Sequence, residues 1–221
     1  MTDHQSNQLS EPLAIFGGTF DPVHYGHLRC AEQARQMLNL ERLYLLPAGD
    51  PPHRATPFTT ARQRLEMLEL ALVDFPYLAI DDREIQRSGP SYMVDTLEEL
   101  RSQFPQRPLL LLIGQDAVNL LHTWHEWERL FELTHIVTFP RPGAEPGYRQ
   151  DLARQVERRS CPDLASLLKV EVGGVLHLDL ERIDISATSI QSIIRLGRSP
   201  RSMLPQAVLE YINENRLYLR T

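Results

Sequence analysis

Cysteine is scarce in this chain: Cys30 and Cys161 are the only two among 221 residues. Two thiols so far apart give neither a disulfide framework nor the paired spacing of a zinc site, and a reducing cytoplasm is the expected setting. Long apolar runs are missing as well. None approaches the ~20 residues needed to cross a bilayer. Met1 to Glu11 is polar where a secretory leader needs an apolar stretch, so no leader is expected. Positive charge is not in excess, because 23 Lys and Arg stand against 29 Asp and Glu, a formal net charge of −6. That balance argues against nucleic acid or an anionic membrane as partner. A phosphorylated small molecule remains compatible with it, provided the cations gather at one site. The two commonest nucleotide loops, G-x-G-x-x-G and G-x-x-x-x-G-K-[ST], are also absent.

What is present is an alternation of short apolar runs with amphipathic segments. At this length one domain is expected, burying about 70–75% of its unfolded surface without staples. The spacing predicts strands at Leu13–Phe16, Leu43–Leu46, Leu78–Ile80, Leu109–Ile113, Ile136–Phe139 and Val175–Leu178. Helices are predicted at Leu28–Leu38, Thr60–Phe75, Met93–Phe104, around Val118–Leu133 and at Tyr148–Arg158, with two more from Ser189 and after Pro205. Such alternation implies an α/β fold: a doubly wound, mostly parallel sheet with helices on both faces, which binds ligands outside the carboxyl ends of its strands. Cys30 falls on the buried side of the first helix.

One stretch carries most of the chemistry. Gly17-Gly18-Thr19-Phe20-Asp21-Pro22-Val23-His24-Tyr25-Gly26-His27 lies between the first strand and the first helix. Spacing of three brings His24 and His27 together if the helix starts at or just before His24. Glycines permit close approach of a ligand, a helix start attracts anions, and imidazoles donate to oxygen, so the pattern suits an oligophosphate. A second stretch, Ile185-Ser186-Ala187-Thr188-Ser189-Ile190, reads in isolation as an ordinary hydroxyl N-cap.

Together the two stretches resemble the His-x-x-His nucleotidyltransferase superfamily, whose members include adenylyltransferases and cytidylyltransferases. The resemblance implies a Rossmann-like nucleotidyltransferase fold, with one domain over 12–221, a helical part at about 186–221, and a flexible lead-in at 1–11. It implies that His24 and His27 are catalytic and that Gly17, Gly18, Thr19, Phe20, Ser186 and Thr188 hold the ATP phosphates. The superfamily usually continues Ile-Arg where this chain has Ile190-Gln191. Arg195, Arg198 and Arg201 are candidate replacements for that cation, and Arg195 is taken as the phosphate contact.

Middle segments narrow the resemblance to bacterial nicotinate mononucleotide adenylyltransferases. Pro51-Pro52-His53-Arg54 is similar to their Pro-His-Lys loop, and Ser91-Tyr92-Met93-Val94-Asp95-Thr96-Leu97 to their Ser-Tyr-Thr-x-x-Thr-Leu. Trp124 matches a tryptophan implicated there in stacking on the nicotinate ring. Tyr92, Met93, Trp124, His53 and Arg54 are therefore the implied mononucleotide residues, whereas Trp127 is read as core. Gly114 and Asp116, at a strand's carboxyl end, are the candidates for adenosine.

The implied reaction is adenylyl transfer from ATP to nicotinate mononucleotide, with Mg²⁺ held chiefly by the substrate phosphates and no protein metal ligand. Asp21, in a tight turn before Pro22, is expected to order the loop. Phosphopantetheine or nicotinamide mononucleotide as acceptor, or a nucleotide sensor without turnover, are the alternatives. Oligomeric state is open. His125-Glu126-Trp127-Glu128-Arg129 lacks the second histidine of a zinc-protease helix, and no Ser–His–Asp arrangement is visible.

Overall fold

The computed structural model describes residues 11–51 and 57–219. Its first half runs β1 (Leu13–Gly18), α1 (Tyr25–Met37), β2 (Leu43–Pro47), α2 (Ala61–Ala71), β3 (Leu78–Ile80), α3 (Arg83–Gln86) and α4 (Met93–Gln103). The second half continues with β4 (Leu109–Gly114), α5 (Gln115–Asn119), α6 (Leu130–Leu133), β5 (His135–Phe139), α7 (Gln150–Arg159) and β6 (Ser160–Cys161). After these come α8 (Leu164–Leu167), β7 (Val175–His177), α9 (Ala187–Arg195) and α10 (Gln206–Glu214).

The seven strands form one sheet in the order β3-β2-β1-β4-β5-β7-β6, and every strand pair in it is parallel. Order reverses between β1 and β4, which pair from Leu13↔Leu109 to Phe16↔Leu112. At such a switch point the connections leave in opposite directions and open a crevice at the strands' carboxyl ends. β4 (LLLLIG) and β5 (HIVTF) are buried throughout, as strands covered on both faces must be.

Side chains alternate along each strand and divide the core into two layers. Ala14, Phe16, Leu43, Leu45, Leu110 and Leu112 face one way, against Leu28 and Ala31 of α1, Met67 and Leu68 of α2, Ile190 of α9 and Val208 of α10. Leu13, Ile15, Leu109, Leu111 and Ile113 face the other way, against Val94 and Leu97 of α4, Val118 of α5 and Leu152 of α7. Cys30 is buried in the first layer.

Two features depart from the sequence expectations. The segment around Val118–Leu133 is not one helix. After α5 it passes through 3₁₀ turns at Leu121–Thr123 and Trp127–Arg129, with Trp124 extended and Glu126 left-handed at φ 47°. That break turns Trp124 and His125 toward the crevice, which a continuous helix would not do. β6, two residues at the sheet edge, is too short to leave a periodic signature.

The helices after β7 are tied to the first loop by one carboxylate. Asp21 accepts hydrogen bonds from the Phe58 backbone N–H at 2.7 Å, the Thr59 hydroxyl at 2.7 Å and the Tyr218 hydroxyl at 2.6 Å. Its backbone carbonyl accepts from Gln191 Nε2 at 2.6 Å. Asp21 therefore orders the loop. Replacing Tyr218 by Phe removes one buried bond to an acidic group and should lower unfolding free energy by about 1.5–3 kcal/mol, read as a lower urea midpoint at unchanged slope.

Candidate active site

A cavity of about 400 Å³ opens over the carboxyl ends of β1, β4 and β5 and meets the first turn of α9. Gly17, Gly18, Thr19, Phe20, His24, His27, Gly114, Asp116, Ser186 and Thr188 all line it, although they come from segments up to 171 positions apart. Gly18 is required because a Cβ there would lie 2.8 Å from the Phe20 ring. That ring is buried, and Phe20 itself has a left-handed φ of 53°. Phe20 thus serves the wall through packing: its ring meets Phe16 at 5.9 Å and His27 at 5.0 Å, both edge-on.

His24 caps α1 and His27 occupies its first turn, so the two imidazoles stack at 3.7 Å between centroids. Gly26 makes this possible, since a Cβ there would press to 2.8 Å from the His24 ring and 3.1 Å from the Ile185 carbonyl. The backbone contributes less than the sequence implied. Of the first three N–H groups of α1, that of Tyr25 goes to the Met203 carbonyl and that of His27 to the His24 carbonyl, both at 2.9 Å. This helix start therefore leaves fewer free backbone donors for a ligand than an open one would. His24 is fully buried, and neither ring nitrogen has a hydrogen-bond partner among the described residues. Buried donors left unmatched are costly, and a ligand oxygen in the cavity is a partner that would satisfy one. Burial first, and the Arg141 charge second, lower the His24 pKa from 6.5 to about 3. The ring is thus neutral and offers a single N–H donor.

At α9, Ser186 is both cap and wall. Its hydroxyl accepts from the Ser189 N–H at 3.1 Å in a reciprocal capping box, which leaves the hydroxyl hydrogen to donate into the cavity. Arg195, at the far end of the same helix, lies with its guanidinium 4.4 Å above the Phe58 ring and is not part of the cavity wall. A nine-residue helix separates its two ends by about 12 Å, which sets the C-terminal arginine apart from Ser186 and Thr188 at the first turn. Gln191 also lines the cavity, and its Nε2 donates one hydrogen bond to the Asp21 carbonyl.

Sequence reading missed the cation that does face this cavity. Arg141, just after β5, is the one arginine or lysine among the described residues lining it, and its Nε lies 3.7 Å from Asp116. It also packs against Gly114, where a Cβ would come within 2.7 Å of its Cγ. The only signal was its place after a buried strand, at the end of the sheet where ligands bind.

A smaller cavity of about 90 Å³ shares the Gly17–Thr19 wall and is closed by Ala48, Ser91, Met93, Trp124 and His125. Trp124 borders both cavities. Tyr92 stands behind His125, ring against ring at 4.3 Å. Trp127 packs edge-on to Phe131 in the core at 6.3 Å. Glu84, unforeseen from sequence, is buried at the floor, where desolvation pushes its carboxyl pKa up. It accepts from the Thr96 hydroxyl at 2.8 Å and bonds Ser91, whose oxygen accepts from the Gly49 and Asp50 N–H groups at 2.9 and 3.0 Å. His53 and Arg54 lie outside the described residues. The flanking residues are described: Pro51 lines the smaller cavity and Pro57 the larger.

Among the described residues no three His, Cys, Asp or Glu side chains converge into a metal-ligand cluster, and no helix is long and apolar enough to cross a membrane.

A reversing parallel sheet thus brings two histidines and two hydroxyls around one cavity. The cytidylyltransferase-like family profile matches residues 15–193, and the chain belongs to that family. Relatives named "Probable nicotinate-nucleotide adenylyltransferase" occur in Methylococcus capsulatus, 46% identical over 94% of this chain and 100% of the relative, and in Acidithiobacillus ferrooxidans, 42% identical over 94% and 96%. The chain also resembles the solved structure of Plasmodium falciparum nicotinic acid mononucleotide adenylyltransferase complexed with NaAD. That likeness has a TM-score of 0.73 at 14% identity, covers 94% of this chain and 97% of the other, and concerns the fold.

Because the folded pKa of His24 is depressed, its neutral ring stabilises the protein above pH 6.5, and this contribution is lost as pH falls toward 3. Unfolding free energy should fall by about 1.4 kcal/mol per pH unit below 6.5 through this residue. Urea titrations of the wild type and His24→Gln between pH 7 and 4 should therefore converge as pH drops.

Proposed function

We propose that this chain transfers the adenylyl group of ATP to nicotinate mononucleotide, yielding nicotinate adenine dinucleotide and pyrophosphate, in NAD biosynthesis in the cytoplasm. The observation that carries this reading is the pair of unequal cavities sharing the Gly17–Thr19 wall and Trp124. The larger suits a nucleoside triphosphate, and the smaller suits a flat aromatic ring. Near-full-length relatives bearing the nicotinate-nucleotide adenylyltransferase name support the same assignment.

In the step, an oxygen of the mononucleotide 5′-phosphate forms a bond to the α-phosphorus of ATP. The bond from that phosphorus to the bridging oxygen breaks, and its electron pair leaves with pyrophosphate. The nucleophile is already an anion, so no base has to remove a proton, and catalysis consists of alignment and charge stabilisation. His24 and His27 donate to the α- and β-phosphate oxygens. The Ser186 and Thr188 hydroxyls hold the β–γ end, while Gly114 and Asp116 receive the adenosine. Arg141 supplies the fixed positive charge. Magnesium bound to ATP would neutralise phosphate charge. Met93, Trp124 and the Tyr92–His125 pair frame the acceptor ring, and His53 and Arg54 are proposed to face its phosphate.

Pyrophosphate release from ATP should be fast with nicotinate mononucleotide and slow with nicotinamide mononucleotide or phosphopantetheine; no release with any acceptor would refute the proposal. Loss of one preorganised donor in His27→Ala should lower kcat on the order of 10²–10³-fold. Arg141→Ala removes a charged contact worth about 1.5–3 kcal/mol, so the KM for ATP should rise about 10–100-fold in steady-state assays.

A further inference from the structure

Arg64, on the inner side of α2, is the largest fully buried side chain among the described residues, at 1% exposure. No Asp or Glu among the described residues lies in ion-pair contact with it. Its partners are backbone carbonyls instead. Nη1 donates to Thr19 at 3.0 Å and to Ala48 at 2.5 Å, and Nη2 donates to Gly49 at 2.7 Å. Burial lowers the basicity of the guanidinium, and the more distant Asp21 and Asp50 act against that shift; an arginine stays charged throughout.

The position of these carbonyls gives the contacts their meaning. The register of β1 with β2 ends at Gly18↔Pro47, and the last ladder bond runs from the Ala48 N–H to the Gly18 carbonyl at 3.0 Å. Past that point no backbone hydrogen bond joins the two continuing segments among the described residues. The planar fork of Arg64 begins where the ladder stops, with one carbonyl from the loop after β1 and two from the loop after β2. Thr19 belongs to the wall between the two cavities, and Ala48 lines the smaller one. Thr60, whose side chain forms a capping box with Gln63, fixes the first turn of α2 from which the fork projects.

We propose that Arg64 is a positioning residue that sets the distance between the triphosphate cavity and the acceptor cavity by clasping the β1 and β2 loops. This rests on the two-cavity assignment made above. In-line transfer needs the attacking oxygen within about 3–3.5 Å of the α-phosphorus, and a misplacement of about 1 Å costs roughly 100-fold. Each cavity by itself is built from other residues, so either half of the reaction complex can still bind when the spacing is wrong. A ligand that occupies both cavities at once cannot.

The test compares the halves with the whole. Wild type and Arg64→Lys, which keeps the charge but loses the planar fork, are titrated calorimetrically with a non-hydrolysable ATP analogue, with nicotinate mononucleotide, and with the dinucleotide product. In folded Arg64→Lys we expect each half to bind within about threefold of wild type, the dinucleotide at least tenfold more weakly, and kcat to fall about 10–100-fold. Equal loss for all three ligands, or unchanged dinucleotide affinity and kcat, would overturn the positioning role. If Arg64→Lys does not fold, Arg64→Gln, whose single amide reaches only one loop without a buried charge, takes its place with the same expectation. Failure of both to fold would show that the residue serves the fold alone, and the proposal falls. Wild-type protein that binds neither half would instead refute the cavity assignment, a separate result.

Discussion

Everything near the larger cavity depends on the hydrogen bonds that converge on Asp21. Three donors from two other segments meet its carboxylate, and Gln191 of α9 holds its carbonyl. Through this one residue the loop after β1, the approach to α2, the first turns of α9 and the chain beyond α10 hold one another in place. None of these segments adjoins another in sequence. Their common contact is what keeps Ser186 and Thr188 facing His24 and His27 across the cavity.

The Asp21 contacts also explain the fate of two residues that looked chemical in sequence. Gln191 stands where a cation was expected, and its amide donates to the Asp21 carbonyl. Among the described residues Arg141 is the one arginine or lysine that lines this cavity. Burial first, and the Arg141 charge second, lower the His24 pKa and keep its imidazole neutral. Arg195, displaced to the far end of α9, packs on Phe58, whose N–H is itself bonded to Asp21.

Much was legible because it is local. The Gly17–His27 stretch announces a strand, a turn and a helix start within eleven residues, and six of the strands were visible as apolar runs. The histidine stack follows from a spacing of three on one helical turn. The segment from Val118 to Leu133 was misread because its apolar spacing is helical, while its backbone breaks at Trp124–Glu126 to deliver Trp124 and His125 to the cavities. Glu84 and Arg64 left no trace. Each sits in a helix whose pattern describes only which side is buried, and a buried charge looks there like any surface residue.

The sequence by itself determined the alternation that builds a parallel sheet, the local strand–turn–helix around His24 and His27, and the family, since each is written in neighbouring residues whose periodicity follows from backbone geometry. Only the tertiary structure decided which cation lines the larger cavity, how the cavities meet at Gly17–Thr19, and what bridges the loops after β1 and β2. Those answers depend on side chains tens of residues apart in the chain, and their meeting is set by strand order and crossover direction, which no local spacing encodes.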